Sequence, residues 1–212
     1  MQTDKKLILV ATLAALSACT PIRGTETGSG QKAETVSERA LSGKAPEAPA
    51  QQQTYTREEI LNSAKSFFGG TTSELAGLIE KAFSEVGAPV AYIEGEEGSA
   101  AFVVGLRYGQ GYLQYKGGGR GPVFWQGPSI GFDAGGNASK VFTLVYNLKQ
   151  TETLFQRYPG VDGSLYIVAG LGLNYQRTGD VTLAPIRTGV GLRAGASVGY
   201  LHYTREPNLL PF

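Results

Sequence analysis

Two apolar runs flank Gly135-Gly136-Asn137, and each alternates with small or polar positions. Ile130, Phe132 and Ala134 interleave with Ser129, Gly131 and Asp133; after the break, Phe142, Leu144 and Tyr146 interleave with Val141, Thr143 and Val145. Period-two runs around a Gly-Gly-Asn break predict a β-hairpin over 125–147, with glycine supplying the positive φ of its turn. The same alternation predicts strands over 90–93, 100–108, 111–116, 123–126, 129–134 and 140–147. A short helix is expected over 152–157, then a long strand over 164–176 and another over 181–186. In the last stretch Ile186, Val190, Leu192, Ala194, Ala196, Val198 and Tyr200 share one parity, and Arg187, Gly189, Gly191, Arg193, Gly195, Ser197 and Gly199 the other. A sheet with one apolar and one glycine-rich face needs cover on one side only. Glycines inside strands mark tight bends or close backbone approach. Together these predict a mainly β fold: a small, soluble, glycine-rich antiparallel β-barrel of about eight strands.

Before the strands the period is helical. Thr56-Arg-Glu-Glu59 has the form of a capping box and predicts a helix to about Phe68, stopped by Gly69-Gly70. Thr71-Thr-Ser-Glu74 is a second such pattern, followed by an apolar stripe of Leu75, Leu78, Ile79, Ala82, Phe83 and Val86 and ended by Gly87 and Pro89. Two short packed helices are expected. The stripe lacks the basic opposite face of a helix that lies on a membrane.

The front of the chain has another character. Lys5-Lys6 precedes an apolar run, Leu7 to Leu16, of ten residues broken only by Thr12. That is short of the roughly 20 residues of a membrane span and fits a secretory signal over 1–18. The run ends in Leu16-Ser17-Ala18-Cys19, the pattern of a bacterial lipobox. Its resemblance to lipoprotein signals implies cleavage before Cys19 and lipidation of Cys19; the alternatives are a buried free thiol or ordinary secretion with Cys19 incidental. Thr20, rather than Asp, follows, which by resemblance to Gram-negative lipoproteins implies the outer membrane. Residues 20–54 are rich in Gly, Ser, Thr, Glu, Ala, Pro and Gln. They cannot bury enough surface to offset their ordering and are read as a disordered tether reaching about 30–35 Å. The folded domain is expected over 55–212.

Composition narrows the function classes. One Cys in 212 residues allows no internal disulfide and no cysteine-based zinc site. A net charge of +1 makes no case for nucleic acid. Charge is uneven, however: residues 99–204 hold nine Lys or Arg against Asp133, Glu152, Asp162 and Asp180.

Each motif has a plainer alternative. Gly189-Val-Gly191-Leu-Arg-Ala-Gly195 approximates a dinucleotide fingerprint but lies within a strand pattern, where no helix N-terminus follows. Lys116-Gly-Gly-Gly-Arg-Gly121 could cradle an anion, yet reads better as a hairpin loop. His202 has no second histidine and reads as a packed strand residue. Glu94, Glu96 and Glu97 read as a solvated acidic loop without calcium-site spacing. Asp133, Asp162 and Asp180 adjoin turns, which explains them. No nucleophile elbow or Cys–His pair is present. No enzymatic activity, catalytic residue, metal or cofactor is expected.

Phe67-Phe-Gly-Gly70, Phe102-Val-Val-Gly-Leu-Arg-Tyr-Gly109, Tyr115-Lys-Gly-Gly-Gly119 and the segments 125–147, 154–176 and 183–206 closely resemble the EipA family of envelope-integrity proteins, first described as a domain of unknown function. The resemblance implies a periplasmic eight-stranded β-barrel with a role in envelope stress resistance linked to lipopolysaccharide. The glycine-rich segment is also distantly similar to SYLF lipid-binding domains. Cys19 and its tether depart from the freely soluble members of the family. The family offers no catalytic residue to carry over. Expected partners are the membrane, through Cys19, and an envelope lipid, lipopolysaccharide or a protein. Two further readings are a carrier holding an apolar ligand inside the barrel and a membrane-spanning barrel; Pro207 and Pro211 break the terminal strand the latter needs. Arg187, Arg193 and Arg205 share a parity opposite the apolar series, and they are expected to point outward as an anion-binding face, since the Arg fork matches phosphate and carboxylate. The alternative is that they simply solvate the outside of the barrel.

Overall fold

The computed structural model describes residues 53–70, 72–133, 138–189 and 199–208. The signal, Cys19, most of the tether and Arg193 lie outside the described residues. Helix α1, Arg57–Phe68, begins at the expected capping box. The Thr56 hydroxyl accepts the Glu59 N–H at 3.3 Å, and the Glu59 carboxylate accepts the Thr56 N–H at 2.9 Å. Gly69 ends it in the left-handed region, φ 83°. Helix α2, Ser73–Val86, is capped by Thr72, whose hydroxyl accepts the Leu75 N–H at 3.2 Å. The cap falls one residue later than expected, so Glu74 sits one position short of the reciprocal bond.

Among the described residues nine strands follow, all in one antiparallel sheet. They are β1 (Ala91–Tyr115), β2 (Arg120–Asp133), β3 (Ala138–Tyr146), β4 (Arg157–Pro159), β5 (Tyr166–Val168), β6 (Leu171–Leu173), β7 (Gln176–Thr178), β8 (Val181–Arg187) and β9 (Tyr200–Thr204). The order is β4-β9-β2-β1-β3-β8-β6-β5, with β7 also on β8. The sheet curls into a half-barrel. An antiparallel bridge between Gly160 and Gln176, with the Val161 N–H on the Tyr175 carbonyl at 2.9 Å, ties its two flanks together.

Several expectations are corrected. The runs on either side of Gly135-Gly136-Asn137 do not pair with each other, because β1 lies between them: its first part pairs with β3, its second with β2. A strand of 25 residues is long enough for this because it folds back on itself. The Lys116 N–H reaches the Val90 carbonyl at 3.2 Å, and Gln114 Nε2 donates to Glu94 at 3.0 Å. The fold-back depends on Gly95 and Gly111, where an added Cβ would overlap the opposing backbone. The long strand expected over 164–176 is instead the hairpin β5–β6. Ala169 (φ 46°) and Gly170 (φ 81°) make a two-residue turn that apolar parity alone does not reveal. The expected helix over 152–157 is a single 3-10 turn, Thr151–Leu154, without a side-chain cap. The Lys116–Gly121 loop, by contrast, is the hairpin turn expected, with Gly118 and Gly119 at φ 95° and 99°.

The sheet is covered on both faces, not one. The concave side encloses Ile93, Leu113, Val123, Trp125, Val141, Val145, Leu183, Leu201 and Tyr203, closed below by Leu148, Leu154 and Tyr158. On the other side α1 and α2 lay Ile60, Ala64, Leu75, Leu78, Ile79 and Ala82 against Tyr92, Phe142, Leu144, Tyr146, Ala184 and Ile186. Strand β8 is therefore buried along its whole length.

Polar clamps fix the helices in place. Lys116 pairs with Glu59, Lys140 Nζ donates to the Phe67 carbonyl at 2.9 Å, and the Tyr175 hydroxyl donates to Glu85 at 2.6 Å. The Lys116 hydrogen bond, helped by the Thr56 N–H, holds the Glu59 carboxyl at about 2, below its ordinary 4.5. A depressed carboxylate stabilises the fold fully above its ordinary value, and that contribution is lost as pH falls from about 4.5 toward about 2. Glu59→Gln should lower the melting temperature by a few degrees at pH 7. Its deficit should shrink to nothing across that acid window in a series of thermal melts; a deficit independent of pH would refute the clamp.

Candidate functional site

The interior of the half-barrel is layered. Its floor is aromatic: the Trp125 ring lies 6.0 Å from Tyr203, which meets Tyr158 edge-on at 5.5 Å. Burial pushes the Tyr158 hydroxyl up to about 12 and raises that of Tyr203 as well. Above the floor stand charges. Glu97 is 7% exposed, and its carboxylate accepts the Trp125 indole N–H at 2.8 Å. Two guanidinium groups face its other oxygen, Arg187 Nε at 3.4 Å and Arg107 Nη1 at 3.7 Å. Arg187 Nη1 also donates to Asn174 Oδ1 at 2.6 Å, and Asn174 is itself buried.

Strand parity places these groups. In β8, Val181 and Leu183 point into the barrel, while Ala184 and Ile186 point at the helices. Arg187 shares the inward parity. In β1, Ala91 and Ile93 point inward, and Glu97 follows at the same parity. Trp125 pairs directly with Gly109 across β1 and β2. A Cβ at Gly109 would overlap the indole, so glycine at that position lets the ring lie against the opposite strand.

The expected anion-binding face is thereby corrected. Arg187 is not outward but 7% exposed and paired with Glu97. Ile186, the first residue of the apolar series, packs against the helices outside the barrel, which inverts the inward and outward assignment at this strand; positions 190–198 of the series lie outside the described residues. Arg205 follows β9, pairs with Glu152 and lies 4.6 Å over the Phe155 ring. Arg193 is outside the described residues, and Arg187 and Arg205 do not share a surface. Glu94, Glu96 and Glu97 are not a loop but part of β1. Glu94 is raised by its burial. His202 sits in β9 between Gln126 and Arg157 in register, lowered first by burial and then by Arg157. Among the described residues no group of three or more His, Cys, Asp and Glu could hold a metal ion.

Two cavities adjoin the charged layer. Beyond the contact at Gly95 and Gly111 the two parts of β1 border a cavity of about 320 Å³, whose lining includes Glu97, Gly109, Gln110 and Trp125. The second, about 340 Å³, lies between the 159–165 loop and Tyr200 and is lined by Asn174. Buried Glu97, Arg187 and Asn174 thus stand between two openings. The sequence signal for this layer was faint. Charged residues in strand parity are ordinarily solvated, and only the helical pair outside the sheet reverses that expectation.

Residues 53–212 match the family described as EipA, envelope integrity protein A. The chain is also similar to the crystal structure of a beta-barrel-like, uncharacterized protein from Brucella abortus. Identity is 49%, the TM-score is 0.69, and the match covers 75% of this chain and 99% of that one. No curated protein matches the chain.

Gly109→Ala should displace the Trp125 indole and break its bond to Glu97. Overpacking of this kind costs about 1–3 kcal/mol. Urea denaturation should show that loss, with a red-shifted emission from the sole tryptophan; unchanged stability and emission would show that the ring does not need the space.

Proposed function

Because the chain belongs to the EipA family of envelope integrity proteins, we propose that it is a non-enzymatic periplasmic lipoprotein that supports the cell envelope. Lipidated Cys19 would anchor it to a Gram-negative membrane, the outer membrane being favoured, and the tether would carry the barrel domain to an envelope lipid, lipopolysaccharide or a partner protein. The family match over 53–212 carries the envelope role. The lipobox at 16–19 supports the anchor, and several acyl chains hold a protein where one alone binds marginally.

The two other readings draw less support. An apolar ligand inside the barrel would compete with Leu113, Val123, Val145, Leu183 and the aromatic floor, which occupy that space. For a membrane-spanning barrel, the outward faces of β3 and β8 would need to meet lipid, and α1 and α2 cover them.

Cys19→Ala should move the protein from the membrane fraction to the soluble periplasmic fraction, or leave an unprocessed precursor on a denaturing gel. Retention in the membrane fraction at unchanged mature mass would refute the anchor.

A further inference from the structure

Arg187 presents an unused recognition edge. Its Nη1 is satisfied by Asn174, but its Nε and Nη2 are buried and make no hydrogen bond among the described residues. Nε–H and Nη2–H form the side-on fork of a guanidinium, the edge that grips two oxygens of a carboxylate or phosphate in parallel. Glu97 Oε1 lies 3.4 Å from Nε, near enough for ion pairing yet not in hydrogen-bond geometry, while the other Glu97 oxygen accepts the Trp125 indole N–H. Side-chain exposure of Arg187 is 9%, so this edge is desolvated. A desolvated donor without an acceptor is costly, and in native structures it points to an occupant. Arg107 Nη1 lies 3.7 Å from the same Glu97 oxygen, so a second guanidinium stands beside the fork.

We propose that the half-barrel binds an oxyanion, the phosphate of a lipid headgroup or a free phosphate, bidentately on the Nε–Nη2 edge of Arg187. Arg107 supplies a second positive charge. Glu97 acts as an internal competitor that occupies part of the same field when no ligand is present. The 320 Å³ cavity, a volume within the range of small-ligand pockets, is lined by Glu97 and Trp125 but not by Arg187 itself; the fork lies behind Glu97, 3.4 Å from its carboxylate, so entry from this side requires Glu97 to give way. This deepens the proposed envelope-contact role by assigning the ligand chemistry. It does not depend on Cys19, so the site and the anchor fail separately.

Trp125 is the only tryptophan and touches Glu97, so its emission reports on the site. The full chain is titrated with inorganic phosphate and, in parallel, with short-chain phosphatidylglycerol, at constant ionic strength, with chloride and phosphatidylcholine as controls. The expected result is a saturable change with a phosphate ligand and none with the controls. Saturation by phosphatidylglycerol at concentrations tenfold or more below those for inorganic phosphate identifies a headgroup, and the reverse order identifies the free ion. Arg187→Lys keeps the charge but removes the fork and should weaken binding at least tenfold. Glu97→Gln removes the competitor and should tighten binding severalfold, with a larger rise in melting temperature on adding phosphate than in the native protein. If Glu97→Gln does not fold unaided, refolding in phosphate is the expected rescue, and Arg187→Lys still decides the matter through its binding. No saturable response to either phosphate ligand, or equal binding by native protein and Arg187→Lys, would overturn the proposal.

Discussion

The indole of Trp125 occupies the space that a side chain at position 109 would need, and the upper half of the barrel is arranged around that occupancy. Because Gly109 has no Cβ, the ring lies against the neighbouring strand and its N–H reaches Glu97. Glu97 in turn stands between Arg107 and Arg187. The same economy of side chain at Gly95 and Gly111 lets the two parts of β1 cross closely. One strand can then offer an edge to β2 and an edge to β3. Three glycines on one strand thus determine both the curl of the sheet and the position of its buried charges.

The helical half of the fold was legible because its signals are local. A Thr hydroxyl that caps three residues ahead and a glycine that turns left-handed act within one turn of the chain, and Thr56, Glu59 and Gly69 do so. The mainly β, curled architecture was legible for a similar reason: alternation is local, and glycine excess within it has few meanings. Strand partners are not local. The break at 135–137 suggested that its flanking runs pair, whereas β1 inserts between them through a fold-back set by residues some 40 positions earlier, at Gly95.

Facing was the larger difficulty, and it decides the site. Parity separates Arg187 from Ile186 but does not say which of the two meets the barrel interior. An apolar series points to the larger apolar surface available, and here two compete, the barrel interior and the helical pair. The continuous run Val141-Phe-Thr-Leu-Val-Tyr146 in β3, buried on both sides, carried the hint that the sheet has two covered faces. With both faces covered, a charged residue on β8 has no route to water at either parity. Arg187 therefore could not be a surface residue once α1 and α2 were packed outside.

A buried ion pair is a weak source of stability. Replacing such a group by well-packed apolar residues is frequently neutral or stabilising, whereas removing one partner is costly. The space above the Trp125–Tyr203–Tyr158 floor could have been filled like the space below it, where Leu148 and Leu154 close the barrel. It holds instead two guanidinium groups, a carboxylate and an amide, and the Nε–Nη2 fork of Arg187 makes no hydrogen bond among the described residues. Stability alone does not account for that choice, since the apolar solution is in use a few residues away on the same strands. Fold specificity accounts for the Glu97 ion pairs but not for a fork that makes no hydrogen bond, because a donor without an acceptor adds no directional constraint. What remains is a requirement for charge at the place where β1 opens toward a cavity, with the fork already desolvated and held in orientation by Asn174. A guanidinium so prepared has met the desolvation cost during folding, and an incoming oxyanion needs only to shed its own water.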